Sequence, residues 1–209
     1  IGDAIVKDVP GFNLNTAVDA LMRDSFEAPP SAAGGAVGKE GLGEYERLGY
    51  ISSGGGGRHG SAGSHDAVSR TLDYAFSDFA VGRAFEKLKS SAFSGTAITA
   101  KNKAKLGTSA RTLLNRAYRA HDILYDSKRG LMVPKDQSGN ARNSFDPLSW
   151  GFGYTEGNAF HHSFPAFAPD RLAKLHGGAD KLAQRIVGMI NARSDFRPGS
   201  YGQQIHEMT

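Results

Sequence analysis

Apolar residues return every three or four positions along several stretches and show no sustained strict alternation, so the pattern predicts a helical chain. The clearest run is Asp66 to about Leu88, where Val68, Leu72, Ala75, Phe76 and Phe79 share one face. Asp73 and Asp78 flank that face; acids so placed are expected to be solvated or paired with Arg70 or Arg83. A second helix is predicted from Thr16 to about Phe26, capped by Asn13 or Asn15 and stopped by Pro29-Pro30, with Ala17, Leu21 and Met22 on one face. Glu44 to Leu48 reads as a short helix closed by Gly49. Thr108 or Ser109 can cap a longer helix reaching about Tyr125 through Leu113, Leu114, Ala117, Ile123 and Leu124, with His121 inside the pattern as a packed or surface residue rather than a ligand. Pro169-Asp170 opens a short helix ending at Gly177-Gly178, and another covers about Ala179 to Ala192. Ile1 to Phe12 is apolar and ends in a Pro10-Gly11 turn. Residues 31–43, Ser90 to Gly107 and Asp126 to Phe145 read as connections. The class is all-α, with long loops of the kind that carry a site.

Composition narrows the function classes. At 209 residues the chain suits one domain or part of a larger one. It is 39% apolar, and no window approaches the roughly 18 consecutive apolar residues of a membrane span. The net charge is +4 with a sequence pI near 9.3, but the excess is spread out. The densest basic window, Lys101 to Lys105, holds three lysines and no aromatic ring, which argues against a nucleic-acid face. With no cysteine, disulfides and thiolate metal sites are excluded. The chain opens at Ile1 without a signal segment and stops at Thr209 without a terminal cap, so a fragment is expected.

Two stretches invite a chemical reading. Gly54 to Gly57, followed by Arg58, His59, Gly60 and Gly63, has the glycine content of an anion cradle. It fits neither GxxxxGK[ST] nor a strand–GxGxxG–helix frame, and a flexible surface connection or a lid explains it as well. The second stretch, Gly153 to Phe164, places one carboxylate, Glu156, among aromatic rings, an amide, two imidazoles and two hydroxyls. Aromatic faces stack on sugar C–H faces, and amides and imidazoles hydrogen-bond hydroxyls. A lone carboxyl in apolar company is pushed towards its protonated form, the profile of a general acid. A helix N-terminus, with Thr155 as cap and Glu156 in the first turn, accounts for the same residues.

Several ordered blocks resemble the family-92 glycoside hydrolases, calcium-dependent exo-acting α-mannosidases. Gly41-Leu42-Gly43-Glu44-Tyr45 and Gly49-Tyr50-Ile51 are similar to the family's G-L-x-E-Y and G-Y-I. Ser69-Arg70-Thr71-Leu72-Asp73-Tyr74-Ala75-Phe76-Ser77-Asp78-Phe79 resembles S-x-T-L-E-Y-A-Y-D-D-W/F. Gly130 to Asp136 resembles G-F-M-x-P-[RK]-D, Phe145-Asp146-Pro147 resembles F-D-P, and Tyr154 to Phe160 resembles Y-T-E-G/A-N-A-W. The resemblance implies part of an (α/α)6 toroid of the six-hairpin glycosidase type. Residues 1–209 would form a partial catalytic domain, with the preceding β-sandwich and the remaining half of the toroid elsewhere in the parent chain. It implies removal of terminal α-linked mannose, with α-1,2 linkages expected, from mannose-containing glycans with inversion of configuration, assisted by Ca2+. Glu156 falls on the catalytic acid. Tyr154, Asn158, Phe160, His161, Asp78 and Asp146 fall at substrate-binding positions. The water-activating base and most calcium ligands are expected beyond Thr209, which would leave this chain inactive alone. A secreted, periplasmic or secretory-pathway location is implied as well.

The chain departs from the family pattern where Phe160-His161-His162 replaces Trp-Gln-Tyr. Phe keeps a stacking face but loses the indole N–H, which bears on the leaving-group sugar accepted. The alternative reading is a non-catalytic carbohydrate-binding or scaffold module with a degenerate site.

Overall fold

The computed structural model describes residues 1–29, 38–53, 67–90, 93, 97–141 and 167–191, with side chains placed as far as residue 188. Among the described residues, seven helices and one small hairpin form the fold: α1 (Gly2–Val6), α2 (Leu14–Phe26), α3 (Leu42–Leu48), α4 (Ala67–Ser90), α5 (Ala100–Leu124), β1 (Tyr125–Asp126), β2 (Leu131–Met132), α6 (Pro169–Leu175) and α7 (Ala179–Asn191). The fold is all-α, as the periodicity predicts. The two strands pair antiparallel, with Tyr125 opposite Met132 and Asp126 opposite Leu131. Asp126 Oδ1 accepts from the backbone N–H groups of Lys128 and Arg129, which closes the turn between them.

Helices α4 and α5 run antiparallel and give the molecule its spine; Phe79 meets Tyr118 and Lys89 reaches Gly107 at the far end. Their close approach needs Gly82, where a Cβ would lie 2.8 Å from Leu114 Cγ. One core cluster joins α1 and α2 (Ile5, Leu14, Val18) to the C-terminal half of α4 (Val81, Ala84, Phe85, Leu88) and to Leu106, Ala110 and Leu113 of α5. A second gathers Tyr50, Val68, Leu72, Leu124, Met132 and Leu172. A third holds Leu42, Tyr45, Ile51, Ala75, Ala117, Ala120 and Phe167. Each fully buried Leu or Phe in these clusters contributes roughly 1.5–3 kcal/mol of transfer free energy. Among the described residues no helix is long and apolar enough to cross a membrane.

The structure corrects several sequence expectations. Helix α5 starts at Ala100, not near Thr108: Thr99 caps it by accepting from Asn102 N–H, and the helix continues through Gly107. The lysines of residues 101–105, read as a polar connection, form its exposed first turns while Asn102 and Leu106 turn inward. The apolar start of the chain contains α1, whose Gly2 backs onto the Ala80 carbonyl. Phe76, assigned to the buried face of α4, is 52% exposed, whereas Asp78 is fully buried. The stripe facing α5 is shifted because small residues, Ala75 and Gly82, bring the helices together, and Asp78 has a cation waiting across the seam.

Candidate active site

The described parts of the sequence blocks fold against one another. Gly49 ends α3 in the left-handed conformation at φ 86°, its N–H bonded to Tyr45 O, and this turns the chain into Tyr50-Ile51-Ser52-Ser53. Ile51 N–H donates to Thr71 Oγ1 of α4 at 2.9 Å, and that hydroxyl donates to Ala67 O at 2.6 Å. Tyr50 Oη donates to Asp136 O at 2.6 Å, and Ser53 N–H donates to Lys135 O at 2.7 Å. Glu44 receives the Ser52 hydroxyl at 2.7 Å and Gln137 Nε2 at 3.5 Å. Block residues separated by up to 86 positions therefore meet around one polar edge.

Asp136 organises its own turn. Its carboxylate accepts from Ser138 N–H, Asn140 N–H and Asn140 Nδ2, and the Asn140 bonds, first among the causes, hold its acid below the usual range. Glu44, Ser52, Ser53, Asp136 and Gln137 were not singled out as site residues by sequence reasoning. The signal was available for Glu44 and Asp136, both carboxylates inside family blocks.

Behind that edge lies a buried ionic network centred on Asp78, which is 0% exposed. Arg116 grips it in bidentate fashion, Nε to Oδ2 at 2.5 Å and Nη2 to Oδ1 at 2.9 Å, and Lys39 Nζ reaches Oδ1 at 2.5 Å. The partners are thus Arg116 and Lys39, not the neighbours Arg70 and Arg83, which bond Glu40 and Glu86. Arg116 also donates to Glu46 and to Ser25 O, so it ties α5 to α2, α3 and α4 together. Burial alone would lower the guanidinium pKa, but the Asp78 hydrogen bonds and charge raise it above its usual value. Burial, then the Asp78 charge, pushes the adjacent Tyr45 phenol far up, so it stays neutral. Of the sequence-predicted substrate-binding residues, Asp78 is the one among the described residues, and its carboxylate is fully enclosed by this network.

A third feature is aromatic. Phe167 is 2% exposed, with its ring 5.1 Å from Phe79, 5.8 Å from Phe76 and 4.4 Å from His121. His121 is fully buried, and among the described residues neither ring nitrogen has a hydrogen-bond partner. Burial first, and then the Arg171 charge, lower its pKa to about 4, partly opposed by Asp122. It is packed, as its place in the helical pattern suggests. Arg171 bonds Asp122 and lies over the Tyr118 ring.

Glu156, Tyr154, Asn158, Phe160, His161 and Asp146 lie outside the described residues, as does the Gly54–Gly57 run. Among the described residues, no group of three or more His, Asp or Glu side chains is placed to hold a metal ion. The calcium that the resemblance implies is therefore not accommodated by these residues.

Comparison with known proteins agrees with the block reading. A family profile described as Glycosyl hydrolase family 92 catalytic domain matches residues 1–208. No curated protein sequence matches. Among solved structures, the chain is similar to the family GH92 inverting mannosidase BT2199 from Bacteroides thetaiotaomicron VPI-5482, with 27% identity and a TM-score of 0.71 over 99% of this chain and 25% of that one. The family GH92 alpha-mannosidase BT3965 from the same species, in complex with mannoimidazole, matches at 22% identity and TM-score 0.65, over 91% of this chain and 22% of that one. A second structure of BT3965 matches at 23% identity and TM-score 0.65, over 90% and 21%. The BT3965 likenesses show a shared fold, and the chain spans about a quarter of the length of these mannosidases. With the profile covering all but its last residue, the chain belongs to glycosyl hydrolase family 92 and forms part of that family's catalytic domain.

Proposed function

We propose that the protein supplies the acid-bearing portion of an inverting α-mannosidase that removes terminal mannose, α-1,2-linked in the first instance, from glycans. The observation that carries this reading is the family match over residues 1–208, supported by 27% identity to an inverting mannosidase. Glu156 acts as the general acid and hands its proton to the glycosidic oxygen as the bond to the anomeric carbon breaks. A carboxylate base elsewhere in the domain takes a proton from water, which attacks the opposite face of the ring. Acid and base stand roughly 6.5–9.5 Å apart in such enzymes, leaving room for that water. Tyr154 and Phe160 offer stacking faces, while Asn158, His161 and Asp146 address hydroxyls. Asp78 contributes by holding α4 and α5 in register. Calcium would draw its oxygen ligands from other parts of the domain, and no step above runs through it.

Glu156→Gln in the complete enzyme tests the acid role. Turnover should fall by about 10²–10⁴-fold on mannosides with poor leaving groups and far less on activated aryl mannosides, whose leaving groups need no proton. Equal, small losses on both substrates would remove Glu156 from that role.

A further inference from the structure

Helices α4 and α5 pack along their length and share core clusters with α1, α2 and α3. Residues 167–188 are held more lightly. Their apolar anchors are Phe167, Leu172 and the half-buried Leu182. Their polar ties are Arg171 to Asp122 and Arg185 to the Arg129 carbonyl at 3.5 Å. Helix α6 has seven residues, and on α7 the side chains of residues 179–188 are exposed apart from Leu182 and Ile186. Helices this short depend on packing, so a unit of this kind opens before the body beneath it does.

Each end of α6 rests on a buried histidine. At its start, Phe167 lies 4.4 Å from the ring of His121, which is 0% exposed. The charges acting on His121 are Arg171 from α6, which opposes protonation, and Asp122 beside it, which favours protonation less strongly. From α4 the Phe76 and Phe79 rings complete the seat around Phe167. At the other end, His176 caps α6 and is 8% exposed, its ring 4.9 Å from that of Tyr125, with Nδ1 3.4 Å from Tyr125 Oη. Burial holds the Tyr125 phenol above its usual value and so uncharged, while Arg185 of α7 opposes a second positive charge at His176.

Burial first, and then an arginine carried by the docked unit itself, therefore keep each imidazole neutral. Detaching α6 and α7 removes both causes at once. The open form then binds protons more readily than the docked one, so docking is complete above about pH 6.5 and weakens as pH falls. With its pKa lowered from 6.5 to about 4, His121 alone makes the open form about 30-fold more populated at pH 5 than at pH 7.5. His176 adds to this in the same direction.

We propose that residues 167–188 form an acid-releasable unit, docked on the α4–α5 pair through neutral His121 at one end of α6 and neutral His176 at the other, and freed when both take up protons. The device belongs to the fold and stands whether or not the mannosidase reading holds.

Hydrogen–deuterium exchange of the complete enzyme, corrected for the intrinsic effect of pH on exchange, tests it. Between pH 7.5 and pH 5, peptides within residues 167–188 should lose protection by about tenfold or more, while α4 and α5 peptides stay within about threefold. The double variant His121→Leu with His176→Phe, which keeps a ring against Tyr125, should hold its protection within about threefold over the same range. Equal losses in α4, α5 and residues 167–188 would mean global unfolding and overturn the proposal, as would an unchanged loss in the double variant. Where that variant does not fold, the wild-type profile decides. Histidine-driven release begins as pH drops through about 6.5, whereas protection that stays flat down to pH 5 overturns the proposal.

Discussion

His121 shows how far one side chain's surroundings set its behaviour. The ring is packed against Phe167 and among the buried alanines of α5, with Arg171 of α6 and the neighbouring Asp122 as the charges that act on it. Its pKa is lowered from 6.5 to about 4 in the fold, mainly by burial. The unfolded chain therefore binds this proton more readily than the folded one. The stability associated with neutral His121 is complete above about pH 6.5 and is lost as pH falls towards 4, by about 3 kcal/mol in all. Urea unfolding between pH 7 and pH 4 should show that loss, and His121→Leu should flatten it; an unchanged slope in the variant would place the titration elsewhere. The sequence pattern was enough to put this histidine inside a helix, but not to show its missing hydrogen bonds, which depend on which residues α4 and α6 bring to it. Asp78 was hidden in a different way. Its nearest arginines in sequence suggested pairing within the helix, whereas the partners stand 38 and 39 positions away.

At the scale of elements, the Asp78 network is the joint on which α2, α3, α4 and α5 meet. Two buried cations face one buried anion, with Glu46 supplying a second charge at the more exposed rim. Removing the anion leaves Lys39 and Arg116 uncompensated, which for a buried pair costs about 3–5 kcal/mol. Asp78→Asn should lower unfolding free energy by that order in denaturant titration. Asp3→Ala, which removes an exposed pair with Lys7, should cost at most about 0.5 kcal/mol. Equal, small effects would mean that the network is solvated. Helix existence was legible from periodicity and caps: Asn13 caps α2 and Gly49 closes α3 as expected. Helix edges and faces were less so. The start of α5 was obscured by its lysines, which read as loop until Leu106 and Asn102 are seen turned inward. The exposure of Phe76 could not be read from spacing, because an aromatic ring at a stripe position fits the stripe equally well.

At the scale of the whole molecule, the chain supplies a helical scaffold and, on the proposed reading, one half of an acid–base pair. The ordered blocks made the family legible, and among the described residues two pairs of blocks are joined by hydrogen bonds, Ile51 to Thr71 and Tyr50 to Asp136. On the proposed reading the partner carboxylate lies elsewhere in the domain, so stereochemistry is the sharpest reading of the complete enzyme. The most direct measurement is the anomeric form of the first mannose released from an α-mannoside, followed by proton NMR before mutarotation. An inverting enzyme releases β-mannose first, with the α-anomer growing in later. Initial release of α-mannose, or no mannose from any α-linked substrate, would contradict the account.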